Sequence, residues 1–165
     1  MTTNLKYKNI YFYYACPEDL GFLELSLDEL NKVKSCVFVS EKDVEIEKEI
    51  RLPEEIKKAL DGYFYNKKDL PRNLISKEII GTEFQKEIWR VILGTKFGET
   101  ITYTDMAIKA GKSDAARAAG TACGKNPLAL FVPCHRVVRK QNEDYGYSWG
   151  TDRKKWLLNF EGVSF

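Results

Sequence analysis

The spacing of apolar and polar positions changes character along the chain. Residues 10–15, 21–27 and 35–40 are short runs rich in aromatic and branched side chains, separated by Pro17, Gly21 and charged turns. Such runs predict β-strands, here a small antiparallel sheet. From Pro53 the spacing becomes helical, with Ile56, Ala59, Leu60 and Phe64 on one face and the proline in the first turn, where its missing amide costs nothing. This predicts a helix covering the sheet. Residues 66–72 are polar and contain Pro71, which makes them the expected linker between a unit at 1–72 and a second at 73–165.

The second unit is patterned for helices. Thr82 is placed to cap one whose Phe84, Ile88, Trp89 and Ile92 share a face, and Gly94 ends it. Residues 97–100 turn the chain into Ile101-Thr102-Tyr103. A short helix over 104–110, Gly111 and a second helix capped by Ser113 and running to Cys123 then outline a helix-turn-helix. Residues 128–132 are wholly apolar and predict a buried strand, and Asp152 to Lys155 lead into Trp156, Leu157, Leu158 and Phe160, a closing helix. The expected class is α+β: a small N-terminal antiparallel sheet with a covering helix, then a mainly helical domain containing the helix-turn-helix.

Composition narrows the function classes. With 44% apolar and 30% charged residues in 165, the chain can bury a core and is not disordered. No run approaches the roughly 20 apolar residues of a membrane span, and Met1 to Lys6 lack a hydrophobic signal core, so the expected location is intracellular, cytoplasmic or nuclear according to the source. Cys16, Cys36, Cys123 and Cys134 form no Cys-x-x-Cys pair and there is one histidine, so four free thiols, no metal and no cofactor are expected. Residues 1–75 carry 12 basic and 14 acidic side chains, the remainder 14 and 10. Between Met106 and Lys140 the bias sharpens to Lys109, Lys112, Arg117, Lys125, Arg136, Arg139 and Lys140 against Asp114 alone. That stretch is either a solvated face or a surface for a polyanion.

The candidate chemistry centres on Pro133-Cys134-His135-Arg136-Val137. A thiol among cations ionises more easily, and the thiolate is the nucleophile; the alternative is a small buried core residue. His135 could take the thiol proton only if a turn or a bridging water joins them, since neighbours on a strand point to opposite faces. Glu161 is the candidate to orient the imidazole, or else a surface acid. The helix from Ser113 is built of small residues, Ala115, Ala116, Ala118, Ala119, Gly120 and Ala122, around Arg117. It is suited to tight packing on another helix or to close approach to a DNA groove with Arg117 projecting into it.

These residues together resemble the O6-alkylguanine-DNA alkyltransferases. Besides residues 133–137, the stretches 84–89, 98–103, 116–118, 124–127 and 156–162 fall in that family's order and spacing, covering roughly half the chain. The resemblance implies direct-reversal repair of double-stranded DNA containing O6-alkylguanine, bound through the minor groove by a monomer. Cys134 would be a single-turnover alkyl acceptor, activated through a water, His135 and Glu161, with Asn126 bracing the turn. Tyr103 would donate to the departing guanine, and Tyr147, Ser148 and the carbonyls of Cys134 and Val137 would contact the base. Arg117 would fill the vacated stack, with Ala116, Gly120, Lys125 and Arg136 also on the DNA side. Trp149, next to Tyr147 and Ser148, either adds an indole beside the pocket and slows reaction with large groups such as benzyl, or points outward and packs on the back of the loop. The competing readings are a helix-turn-helix regulator or lesion-marking protein without catalysis, both of which leave Cys134 without a task, and a cysteine hydrolase, which would need an oxyanion site.

Overall fold

The computed structural model describes residues 10–44, 50–140 and 146–164. The opening residues Met1 to Lys6, read above for a signal core, lie outside them. Strands β1 (Phe12–Ala15), β2 (Phe22–Leu27) and β3 (Val33–Val39) form an antiparallel sheet in sequence order. Leu23 and Leu25 of β2, with Cys36 and Phe38 of β3, are buried. Helix α1 (Glu54–Asn66) turns Ile56, Leu60, Tyr63 and Phe64 inward. Tyr14 of β1 stacks on Phe64 with centroids 5.9 Å apart and donates its hydroxyl to Asp61 at 2.7 Å, so the helix is fastened to the sheet by an apolar and a polar contact.

In the second half, helix α2 (Glu83–Leu93) begins with a reciprocal cap. The Thr82 side chain accepts from the Gln85 amide and the Gln85 side chain from the Thr82 amide. Strand β4 (Ile101–Thr102) leads directly into helix α3 (Tyr103–Lys109), capped by Thr102. Helix α4 (Ala116–Gly124) follows, then strand β5 (Val137–Val138), parallel to β4, and helix α5 (Thr151–Phe160). The Trp89 indole donates to the Ala122 carbonyl at 2.9 Å and ties α2 to α4. One buried apolar cluster runs from Leu23 and Leu25 through Leu60, Ile88 and Met106 to Leu128 and Leu157. Among the described residues no helix is long and apolar enough to cross a membrane.

Two expectations are corrected. Ser113 does not cap α4: its hydroxyl lies on Asp114, and the Ala115 amide is spent on the Lys112 carbonyl in a turn, so helical bonding starts with the Ala119 amide on Ala115. Residues 128–132 are not a strand either. The chain coils on itself, with the Val132 amide on the Leu128 carbonyl at 2.9 Å and Leu130 at φ +65°. Asn126 imposes this path, its side-chain amide donating to the Val132 carbonyl at 2.8 Å and its carbonyl accepting from the Leu128 amide at 2.9 Å. An apolar run reports burial, and burial alone does not choose between an extended chain and a tight turn.

Candidate active site

Emerging from that turn, Cys134 opens a short 3-10 helix, Cys134–Arg136. The adjacency problem of a strand therefore does not arise, since successive side chains of a 3-10 turn fan out by roughly a third of a revolution. Cys134 lies at a cavity of about 210 Å³, shared with Tyr103, Gly120, Cys123, Gly124, Gly146, Tyr147 and Ser148. Its thiol is held below the ordinary value by a hydrogen bond from Cys123, in opposition to burial, and with help from Asn126, the positive charge of Lys154 and its own backbone amide. The result is a buried thiol biased toward thiolate.

Behind it stands a charged network. His135 Nε2 and Glu161 Oε1 are 2.8 Å apart, both fully buried. Burial, reinforced by Arg136 and Lys154, depresses the His135 pKa despite Glu161, so the ring is neutral at pH 7. A carboxylate only accepts, which puts the ring proton on Nε2 and leaves the Nδ1 lone pair as the base. Nδ1 is buried with no hydrogen-bond partner among the described residues. Burial raises the Glu161 pKa, but hydrogen bonds and charge from His135 and Arg136 outweigh it and bring it to about 2. With His135 neutral, the pairing that acts at pH 7 is the one with Arg136. Tyr63 also donates to Glu161 at 2.8 Å, and so does the Gly98 amide at 3.3 Å. Gly98 sits at φ +81°, a left-handed conformation that suits glycine, and a Cβ there would stand 3.1 Å from the Glu161 carbonyl.

Several residues named from sequence meet at the cavity. Tyr103 lines it from the start of α3, Tyr147 and Ser148 from the segment before α5, and the Ser148 hydroxyl donates to the Gly124 carbonyl at 2.9 Å. The Tyr147 hydroxyl is buried without a partner among the described residues, and burial followed by the nearby Cys134 keeps it protonated. Gly120 lets α4 approach Tyr103: a Cβ there would already touch the ring at 3.4 Å. Arg117 and Lys125 are exposed at the two ends of α4, and Ala116 is half-buried.

Others are placed differently. Arg136 does not face solvent. It is 3% exposed, forks onto both oxygens of Glu161 at 2.9 Å, and binds Asp69 and the Thr95 carbonyl. The reason is local charge: a buried carboxylate needs a cation, and arginine alone offers a planar fork. Trp149 does not line the cavity. It packs edge-on against Tyr147 and Phe38, centroids 5.3 and 6.3 Å away, and so backs the pocket wall rather than narrowing it. Val137 is buried in β5, and its carbonyl accepts from Lys154 at 2.7 Å. Lys154 is the residue sequence reasoning missed. Inside a charged stretch it reads as solvated, yet it is fully buried, also donates to the Gly146 carbonyl at 3.1 Å, and lies 6.0 Å from the Tyr103 ring. Its place four residues before Leu158 on the apolar face was the available signal.

Known proteins resemble this chain in sequence and in fold. Residues 83–163 match the family model described as 6-O-methylguanine DNA methyltransferase, DNA binding domain. A probable methylated-DNA–protein-cysteine methyltransferase of Acanthamoeba polyphaga mimivirus is 40% identical over 146 residues, 86% of this chain and 91% of its own. The crystal structure of Mycobacterium tuberculosis O6-methylguanine methyltransferase superposes with a TM-score of 0.74 at 30% identity, covering 92% of this chain and 91% of that one. The Mycobacterium tuberculosis protein solved in complex with DNA gives 0.76 at 28% identity over the same shares. With the buried Cys134–His135–Glu161 arrangement and a relative matched over nine-tenths of its length, the chain belongs to the methylated-DNA–protein-cysteine methyltransferase family.

Proposed function

We propose that this protein repairs alkylated DNA by direct reversal, Cys134 Sγ taking the alkyl group from O6 of a guanine rotated out of the duplex. The observation that carries the reading is a thiol biased toward thiolate at a cavity, next to a neutral imidazole whose outer nitrogen is held by a buried carboxylate. His135 Nδ1 takes the thiol proton through one water, and Glu161 holds the ring so that Nδ1 is the base. The thiolate attacks the alkyl carbon while its bond to O6 breaks. The electron pair leaves with guanine, which takes up a proton, and Tyr103 is the assigned donor. The alkyl group stays on sulfur as a thioether. Nothing in this step regenerates the thiol, so each chain acts once.

Residues 73–165 are read as the DNA-binding and acceptor unit and residues 1–72 as its support. Lys109, Lys112, Lys125, Arg139 and Lys140 are exposed cations free to meet phosphates, while the small residues of α4 allow close approach to the minor groove. Extruding a base costs a few kcal/mol, least for a damaged pair, which favours lesions. Intact mass after incubation with methylguanine-containing duplex is expected to show one added methyl per chain, mapped to Cys134, and a plateau under excess substrate. Continued turnover, or a methyl elsewhere, would exclude the reading.

Arg117, exposed near the start of α4, is assigned to the gap left in the base stack. Arg117→Ala is then expected to slow transfer from duplex by roughly ten-fold or more, the equivalent of losing about 1.4 kcal/mol of support for the flipped state. Reaction with free O6-methylguanine base should be unchanged, because no stack has to be filled; equal losses on both substrates would remove this role.

A further inference from the structure

The reaction as derived leaves one reactive side chain at the cavity unused. Cys123 sits in the last turn of α4, is buried, and lines the same cavity as Cys134. We infer that Cys123 is a positioning residue for alkyl transfer, its S–H donating to Cys134 Sγ and holding that sulfur as the thiolate; this rests on Cys134 being the acceptor. Three observations lead there.

First, a buried thiolate needs donors, since an unpaired charge removed from water is costly. The donors on hand are few. The Asn126 amide is already shared between the Val132 and Leu128 carbonyls at 2.8 and 3.4 Å, and Lys154 acts on the sulfur through its charge while its ammonium binds the Val137 and Gly146 carbonyls. Second, α4 is held where the thiol is needed: Trp89 anchors the neighbouring Ala122 carbonyl, and Gly120, three residues earlier, lies on Tyr103. Third, Cys123 and Cys134 are both buried and line one cavity of about 210 Å³, so Cys123 is a thiol on hand at the acceptor, and its influence on Cys134 favours the ionised form. A thiol is a weak donor to a neutral acceptor, but the bond strengthens when the acceptor carries the charge.

The consequence is a trade. Lowering a thiol's pKa by one unit raises the thiolate fraction about ten-fold at pH values below it, while intrinsic nucleophilicity falls by a factor of about three, because rate follows basicity with a slope near 0.4 to 0.5. Removing the donor is therefore expected to slow Cys134 at low pH and to leave it as fast or faster at high pH. The two rate profiles should cross. Loss of packing alone would lower the rate at every pH.

The test compares the native protein, Cys123→Ala and Cys123→Ser across pH 5 to 10. Two reagents are used: iodoacetamide, with the modified peptide containing Cys134 quantified by mass, and methylguanine-containing duplex. Cys123→Ala is expected to move the half-titration point of Cys134 upward by about one unit, slowing transfer roughly three-fold at the acid end and producing the crossing. Cys123→Ser, whose hydroxyl also donates, is expected to restore most of the native profile. Superimposable iodoacetamide profiles for native protein and Cys123→Ala, with methyl transfer intact, would overturn the inference. A native protein that takes no methyl from the duplex would instead overturn the reading on which it rests, whatever the titration shows.

Discussion

Cys134→Ser is expected to abolish methyl transfer while leaving the affinity for lesion-containing duplex within about two-fold of native. The two side chains differ by one atom, so the cavity bounded by Tyr103, Tyr147 and Ser148 keeps its shape. What changes is the acid. Cysteine is the one member of the hydroxyl and thiol class with an appreciable anionic fraction at neutral pH, and the influences on Cys134 bias it further in that direction. A serine hydroxyl under the same influences stays protonated, and a neutral hydroxyl does not displace guanine from an alkyl carbon. Binding draws on phosphates and on the flipped base, to which the sulfur contributes little. Single-turnover kinetics beside a fluorescence binding titration check both halves. Residual transfer above a tenth of the native rate, or a methyl mapped to another residue, would remove Cys134 from the reaction.

The second large effect concerns the fold. Arg136→Met is expected to lower stability by about 3 to 5 kcal/mol at pH 7, the cost of leaving a buried carboxylate without its cation, and the melting temperature by roughly 10 °C. Arg136→Lys should recover only part of this, since an ammonium cannot span both Glu161 oxygens, Asp69 and the Thr95 carbonyl at once. The pH dependence follows from Glu161. Its pKa is brought down to about 2 in the folded protein, below the ordinary glutamate value near 4.3, so its contribution is present above that ordinary value and is lost as pH falls toward 2. This amounts to about 3 kcal/mol, and chemical denaturation between pH 7 and pH 3 should show most of it. Without Arg136 the folded pKa rises, so the variant should lose less on acidification. Were Arg136 a phosphate contact instead, the substitution would leave stability unchanged and reduce the salt slope of DNA binding by about one.

These two experiments also separate what spacing along a chain can reveal from what it cannot. Cys134, His135 and Glu161 were legible because the chemistry has a narrow menu: a thiol followed by imidazole and guanidinium, and an acid at the end of an amphipathic helix. The sheet and the capped helices were legible because their side chains keep a regular period, as in β2 with Leu23 and Leu25 and in α2 with Ile88 and Ile92. Thr82 caps its helix through a bond that reaches only three residues, which sequence order contains in full; the same reach did not make Ser113 a cap, and the cap at Thr102 came from the structure.

Three-dimensional packing decided the rest. Arg136 and Lys154 look like solvated cations in the sequence, and whether each faces DNA or the core depends on acceptors 25 and 17 residues away, Glu161 and the Val137 carbonyl. Residues 128–132 are apolar enough for a strand, but the Asn126 side chain closes them into a turn, and it is this turn that delivers Cys134 to the cavity. Trp149 joins the pocket or backs it according to where Phe38 of a distant strand stands. Cys123 reads as one more small residue of α4 until the fold brings it to the cavity that Cys134 lines. The physical reason is the range of the interactions. Period, capping and local charge act within a few residues and are written in the order of the chain, whereas the partners of a buried charge or thiol are chosen by how distant segments close around it.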